Sequence, residues 1–293
     1  MVRLRLGIVM AGVGVHAAAH IGLLAELARR GMEPYAVCGM QAGAWPAALY
    51  CAGLDMEQMH KALLQTAAMG RRLADAPPFA GRRRDAHGGY ILRGRRLEHL
   101  LRAQTGDRLL ALCPRRGIFL CRGARTGRPV VFTSQLYRQD NGIMLSMQAG
   151  VGFAARAAMT MPPFLPPVEW MGSMMLPQTD LSFACRQLQE MGAQRVLVAL
   201  PVPSHRKTPD ALELAGLQTG CMWEQALPAG TGVLRAAMPD TAGAMQLDRI
   251  PDCERAGQEA ARDGLDRVLE GMGMAFCRVL PFRRPDAGRS ITG

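Results

Sequence analysis

Apolar positions at the start of the chain follow two alternating spacings. Leu4 to Met10 is a short run rich in Leu, Ile and Val, the pattern of a buried strand. Ala11-Gly12-Val13-Gly14 breaks it as a loop. From His16 to Arg30 the apolar residues Ile21, Leu23, Leu24, Leu27 and Ala28 recur at helical spacing, and Gly31 is the stop. Pro34 to Gly39 is a second strand. Ala42 opens a second helix, to Gly53, directly after a glycine-flanked turn. Strand, helix, strand, helix is how a parallel sheet begins. The expected fold is α/β and three-layered, with a mostly parallel central sheet and helices on both faces.

The pattern continues less clearly. Helices are expected over Met56–Arg72, Arg95–Gln104, Gly150–Met159, Asp180–Met191 and Cys253–Met272. Strands are expected over Gly117–Arg122, Val130–Thr133 and Arg195–Leu200. Residues 77–90, rich in Pro, Gly and Arg, read as a surface loop. Residues 203–250 carry no decisive period. Residues 276–293 read as a mobile polar tail.

Composition adds three constraints. Aromatic residues make up 5% of the 293 residues, and 20 methionines help to fill the core instead. Met packs deformably, so either the interior is plastic or a pocket accepts flexible apolar ligands. The formal net charge is +11, mostly from arginine, with clusters at Arg71–Arg72, Arg82–Arg84 and Arg93–Arg96. No aromatic stacking platform accompanies them, so no nucleic-acid partner is expected. They read as a solvated basic face, with an anionic membrane surface as the alternative partner. The eight cysteines form no CxxC pair and no zinc spacing, which suits reduced thiols in a cytoplasmic protein. Arg3 and Arg5 before an apolar stretch resemble a signal peptide. The continuation into an amphipathic helix favours a buried first strand. No run is long enough to span a bilayer, so any membrane contact is expected to be peripheral.

The chemistry centres on Gly39-Met40-Gln41-Ala42-Gly43. It lies at a strand end and opens a helix, the context a G-x-S-x-G nucleophile elbow requires. Glutamine stands at the position of the nucleophile. Together with Leu6-Gly7-Ile8-Val9-Met10-Ala11-Gly12-Val13-Gly14 and Ala18-Ala19-His20-Ile21-Gly22-Leu23-Leu24, this segment resembles the patatin-like phospholipase (acyl hydrolase) family. The likeness continues through Leu92-Arg93-Gly94-Arg95-Arg96-Leu97, Thr126-Gly127-Arg128-Pro129-Val130-Val131-Phe132, the proline-rich stretch Arg156 to Val168, and Gly192-Ala193-Gln194-Arg195-Val196-Leu197-Val198. A patatin-like domain over 1–275 is implied.

The resemblance implies a Ser-Asp dyad and an oxyanion loop at Gly12, Val13 and Gly14. Gly39, Ala42 and Gly43 frame the elbow, and Gln41 fills the nucleophile slot. The family's aspartate sits in an Asp-Gly-Gly motif. Counting forward and back puts that slot at Pro177 or Leu176, within Met174-Met175-Leu176-Pro177-Gln178-Thr179-Asp180, where no such motif exists. Asp180 reads as a helix N-cap. His16, where relatives often carry arginine, is a candidate contact for an anionic ligand. His16 and His20 are spaced as zinc ligands can be, but no HExxH pattern supports a metal. Cys38 reads as core. Ser173, Ser182 and Cys185 lie near the carboxylate slot without an identifiable base. No catalytic residue is intact and no cofactor is implied. The expectation is a pseudoenzyme that binds a lipid or fatty acyl ligand or a protein partner. An active acyl hydrolase with relocated residues and a ligand-free regulatory scaffold are the alternatives.

Overall fold

In the computed structural model, strands β1 (Leu6–Met10), β2 (Ala36–Gly39), β3 (Arg116–Gly123) and β8 (Arg195–Val202) send alternate side chains to two faces. The structure describes residues 4–74, 90, 92–138, 142–203, 208–214 and 227–274. Ile8, Met10, Val37, Phe119, Cys121, Leu197 and Ala199 enter one apolar cluster. Val9, Ala36, Cys38, Ile118, Leu120, Val196 and Val198 enter another. Both faces are apolar, which is why these strands read as continuous hydrophobic runs.

Five strands form a parallel block in the order β3-β2-β1-β8-β9, with β9 at Thr231–Ala237. On the other side, β4 (Pro129–Thr133) pairs antiparallel with β3, and β5 (Met144–Ser146) runs parallel to β4. A hairpin of β6 (Val168–Trp170) and β7 (Ser173–Pro177) completes the nine-stranded sheet. Helices α1 (Ala19–Arg29), α2 (Ala44–Cys51), α3 (Met56–Met69), α5 (Val151–Ala158) and α7 (Ile250–Gly271) bury residues in the first cluster, as does Leu101 of α4 (Arg95–Thr105). Helix α6 (Leu181–Glu190) covers the second face with Leu181, Phe183, Ala184, Cys185 and Leu188. The expected three-layer, mostly parallel arrangement is present.

Several boundaries differ from the sequence reading. Where a helix is expected from His16, a 3₁₀ turn over Gly14–Ala18 precedes α1. Where one is expected from Ala42, a 3₁₀ turn over Gln41–Gly43 precedes α2. Both turns follow glycine-rich loops that must tighten before an α-helix can start. The last helix begins at Ile250 with Pro251 in its first turn, where a missing N–H costs nothing. Strands β5, β6, β7 and β9 are additions. The expected surface loop at 77–90, Tyr90 apart, and the tail at 276–293 lie outside the described residues.

Candidate functional site

Gln41 follows β2 and is 5% exposed. Its φ is 49°, in the left-handed region that a non-glycine residue seldom enters. This is the conformation of an elbow, which lifts its central side chain out of the strand line. Gly43 permits the turn, because a Cβ there would run into the carbonyl oxygen of Met10 on β1. Two backbone bonds fasten the elbow to the glycine loop. Met40 N–H donates to the Met10 carbonyl and Ala42 N–H to the Gly12 carbonyl, both at 3.0 Å. The Ala42 N–H is the donor that a serine elbow turns toward a developing oxyanion. Here it faces a carbonyl of the loop.

The loop residues are held as firmly. Gly12 has φ 134° and Gly14 φ 51°. Val13 is buried in a small cluster with Leu212 and Ala244, against which Met161 and Phe164 pack. His16 is fully buried, with Nε2 3.0 Å from the Ala242 carbonyl and 3.4 Å from Glu213 Oε1. The candidate ligand contact is therefore bound to the chain itself. Nε2 of His20 lies 2.7 Å from the Ala11 carbonyl, and burial pushes its pKa down to about 4. The two imidazoles thus turn the same nitrogen toward different backbone carbonyls.

Glu213 belongs to the stretch the sequence left unread. Asp210 N–H donates to Glu213 and Glu213 N–H to Asp210, at 2.7 and 2.8 Å. Asp210 also accepts from Ala244 N–H at 2.9 Å, and the Ala244 carbonyl accepts from Val15 N–H at 2.8 Å. This clasp ties two distant segments to the glycine loop. Its local signal is the Asp-x-x-Glu spacing of a capping box.

The expected carboxylate slot lies on β7. Pro177 pairs with Cys121 and Leu176 with Arg122 of β3. On the same edge of β3, Gly39 pairs with Phe119, so Leu120 alone separates the end of β2 from the end of β7. The slot is beside the elbow and carries Leu and Pro. Asp180 caps α6, accepting from Phe183 N–H at 3.1 Å. Burial raises the Cys38 thiol well above its usual range and Cys185 to about 12. Ser182 accepts from Arg186 at 2.5 Å. The Ser173 hydroxyl is buried on β7 without a hydrogen-bond partner.

Beside Ala42 and Gly14 opens an apolar cavity of 660 Å³. Trp45, Leu97, Met161, Phe164, Leu165 and Leu247 are among its walls. Met159 and Met245 also line it, so part of the methionine excess faces this space. The volume lies in the range of small-molecule sites. Most of the lining comes from segments whose convergence only the tertiary fold reveals.

A family model described as "Patatin-like phospholipase" matches residues 8–178. No curated protein matches. Among solved structures, VipD from Legionella pneumophila is similar at a TM-score of 0.47 and 11% identity, covering 90% of this chain and 67% of that one. The type III effector protein ExoU is similar at 0.39 and 15%, covering 92% and 53%. Full-length ExoU solved with SpcU, from the type III secretion system of Pseudomonas aeruginosa, is similar at 0.41 and 16%, covering 91% and 53%. This chain thus spans about half the length of the ExoU chains.

Proposed function

Because this chain belongs to the patatin-like phospholipase family, we propose that it is a non-catalytic member that holds an acyl chain or lipid in the cavity beside Gln41. The observation that carries this reading is the glutamine itself, buried in the left-handed position where the family's elbow presents a nucleophile. A serine attacks once a base removes its proton. A glutamine amide offers a delocalised nitrogen and a weakly nucleophilic oxygen. Removing the nucleophile of a serine enzyme lowers turnover on the order of 10⁶-fold. Leu176 and Pro177 in the carboxylate slot, and an Ala42 N–H directed at Gly12, support the same reading. The apolar cavity supports ligand binding over a bare scaffold. Contact with an anionic membrane through the basic face belongs to this proposal. Among the described residues no helix is long and apolar enough to cross a membrane.

Two measurements test it. A fluorophosphonate probe should leave the protein unlabelled, and ester turnover should not exceed that of Gln41→Ala. Labelling of any serine with matching turnover would establish a relocated active site instead. Native mass spectrometry of the purified chain should find a co-purifying lipid. Consistently empty protein that also binds no added acyl probe would favour the regulatory scaffold.

A further inference from the structure

Residues 113–115 sit on the C-terminal end of α2, the helix that the elbow opens and that Cys51 ends. Pro114 packs on Gly53, where a Cβ would meet its Cγ at 2.5 Å. The Arg115 guanidinium stacks over the Tyr50 ring at 4.6 Å and its Nη1 donates to the Leu54 carbonyl at 2.7 Å. The Arg115 carbonyl lies 3.1 Å from Cys51 Sγ. Cys113 follows the 3₁₀ turn Leu110–Leu112, which is held in place by Leu110 N–H donating to the Ala149 carbonyl at 3.0 Å. These contacts bring the Cys113 sulfur into a hydrogen bond with the Cys51 thiol. Cys113 Sγ also lies 3.5 Å from the Leu109 carbonyl.

The two thiols are unequal. Cys51 is fully buried, and a Cβ on Gly117 would lie 2.6 Å from its sulfur. Cys113 is half-buried, and among the described cysteines it is the one that is not fully enclosed. The Cys51 hydrogen bond, helped by the Arg108 guanidinium, holds the Cys113 thiol below its ordinary range against the effect of burial. The same bond and burial push Cys51 well above that range. Cys38, Cys121 and Cys185 are pushed up by burial. The thiolate is the form that reacts with oxidants, so reactivity among these groups concentrates at Cys113. An accessible thiol of raised acidity beside a buried partner is the arrangement of a redox-responsive pair.

We propose that Cys113 and Cys51 form a peroxide-responsive pair, in which Cys113 is oxidised first and Cys51 resolves it to a disulfide. The Cys113 thiolate attacks one oxygen of hydrogen peroxide. The O–O bond breaks, hydroxide leaves, and Cys113 becomes a sulfenic acid. The Cys51 sulfur then attacks the Cys113 sulfur, the S–O bond breaks, and the hydroxide leaves with the Cys51 proton as water. The thiols lose a pair of electrons in all, and the peroxide gains it. The bridge joins the end of α2 to the chain entering β3. It closes a loop that carries α3 and α4, both of which line the cavity through Thr66, Leu97 and Leu100. A covalent closure of this kind restricts the unfolded chain and so stabilises the fold. The pair stands on its own contacts, whatever the cavity holds.

Peptide mapping of the full chain after hydrogen peroxide at neutral pH tests it. The expected product is a disulfide between the peptides that carry Cys51 and Cys113, lost again in dithiothreitol. Fragmentation has to place it at Cys51, since Cys38 lies in the same tryptic peptide. Cys113→Ser should abolish the bridge. Cys51→Ser should stop the reaction at the Cys113 sulfenic acid, which dimedone traps as an adduct that bridged wild type does not give. The wild-type map decides the matter even where a variant folds poorly. A bridge from Cys113 to any other cysteine overturns the pair. So does Cys113 passing on to sulfinic acid while Cys51 stays reduced, or Cys113 surviving a dose of peroxide that oxidises free N-acetylcysteine.

Discussion

Gln41 holds a backbone conformation that costs a non-glycine residue about 1–3 kcal/mol. Gly43 packed on the Met10 carbonyl and the two backbone bonds to the glycine loop keep it there. The elbow's shape is thus maintained by its surroundings, independently of whether residue 41 is a nucleophile. A second buried residue gives the loop a measurable signature. His20 titrates at 6.5 when unfolded and at about 4 when folded, because burial disfavours the imidazolium despite the Ala11 carbonyl. Unfolding therefore takes up a proton between those values, and stability falls as pH drops across that window and levels out below it. The loss amounts to about 3 kcal/mol at most. Glu26, held down to about 2 by Arg29 and Arg30, loses its contribution mainly at lower pH. Thermal melts of wild type should weaken from pH 6.5 to 4, and His20→Gln should flatten that slope. An unchanged slope would mean that His20 is not the titrating group.

At the scale of elements, the register of β7 decides where a restored carboxylate would work. Successive strand residues face opposite sides. Pro177, opposite Cys121, lies on the face of the first cluster with Met175, α2 and α5, which is also the side of Trp45 and the cavity. Leu176, opposite exposed Arg122, lies on the other. Gln41→Ser with Pro177→Asp should therefore hydrolyse an activated ester about 10²-fold faster than Gln41→Ser with Leu176→Asp. Higher rates from the Leu176 variant would invert the face assignment. The sequence placed this slot within one residue yet did not show that it lies on a strand. Ser173–Pro177 is short and ends in proline, and its pairing with β3 is non-local. Strand β9 was hidden for a related reason. Thr231–Ala237 includes Gly232, packed under Val268 of α7 and Met272 just past its end, and exposed Arg235, so its apolar pattern is weak. The parallel core was legible because β1, β2, β3 and β8 are apolar on both faces. The elbow was legible because its glycines answer to local geometry. The His16–Glu213 contact and the cavity walls were not, since they join segments far apart in sequence.

The whole molecule carries a formal charge of +11, and part of it is answered locally. Arg29 and Arg30 share Glu26, Arg30 also reaches Asp266, and Arg249 pairs with Asp248 and Asp252. The arginines at the α4 N-terminus are answered less completely. Arg93 lacks a hydrogen bond at Nε, and the single acidic residue of the first turn, Glu98, is shared between Arg102 and the field at Arg156. The net positive charge favours the proposed encounter with an anionic membrane surface, while the mainly apolar cavity includes Asp248 in its lining. If long-range charge drives that encounter, screening must weaken it, since the Debye length shrinks from about 30 Å at 0.01 M salt to about 3 Å at 1 M. Co-sedimentation should retain the chain on phosphatidylserine vesicles at low salt and release it at high salt. Phosphatidylcholine vesicles should retain little at either. Arg93→Gln should lower retention only slightly, because one charge among many sets little of the long-range field. Retention that survives high salt would instead assign the contact to apolar insertion and remove net charge from the account.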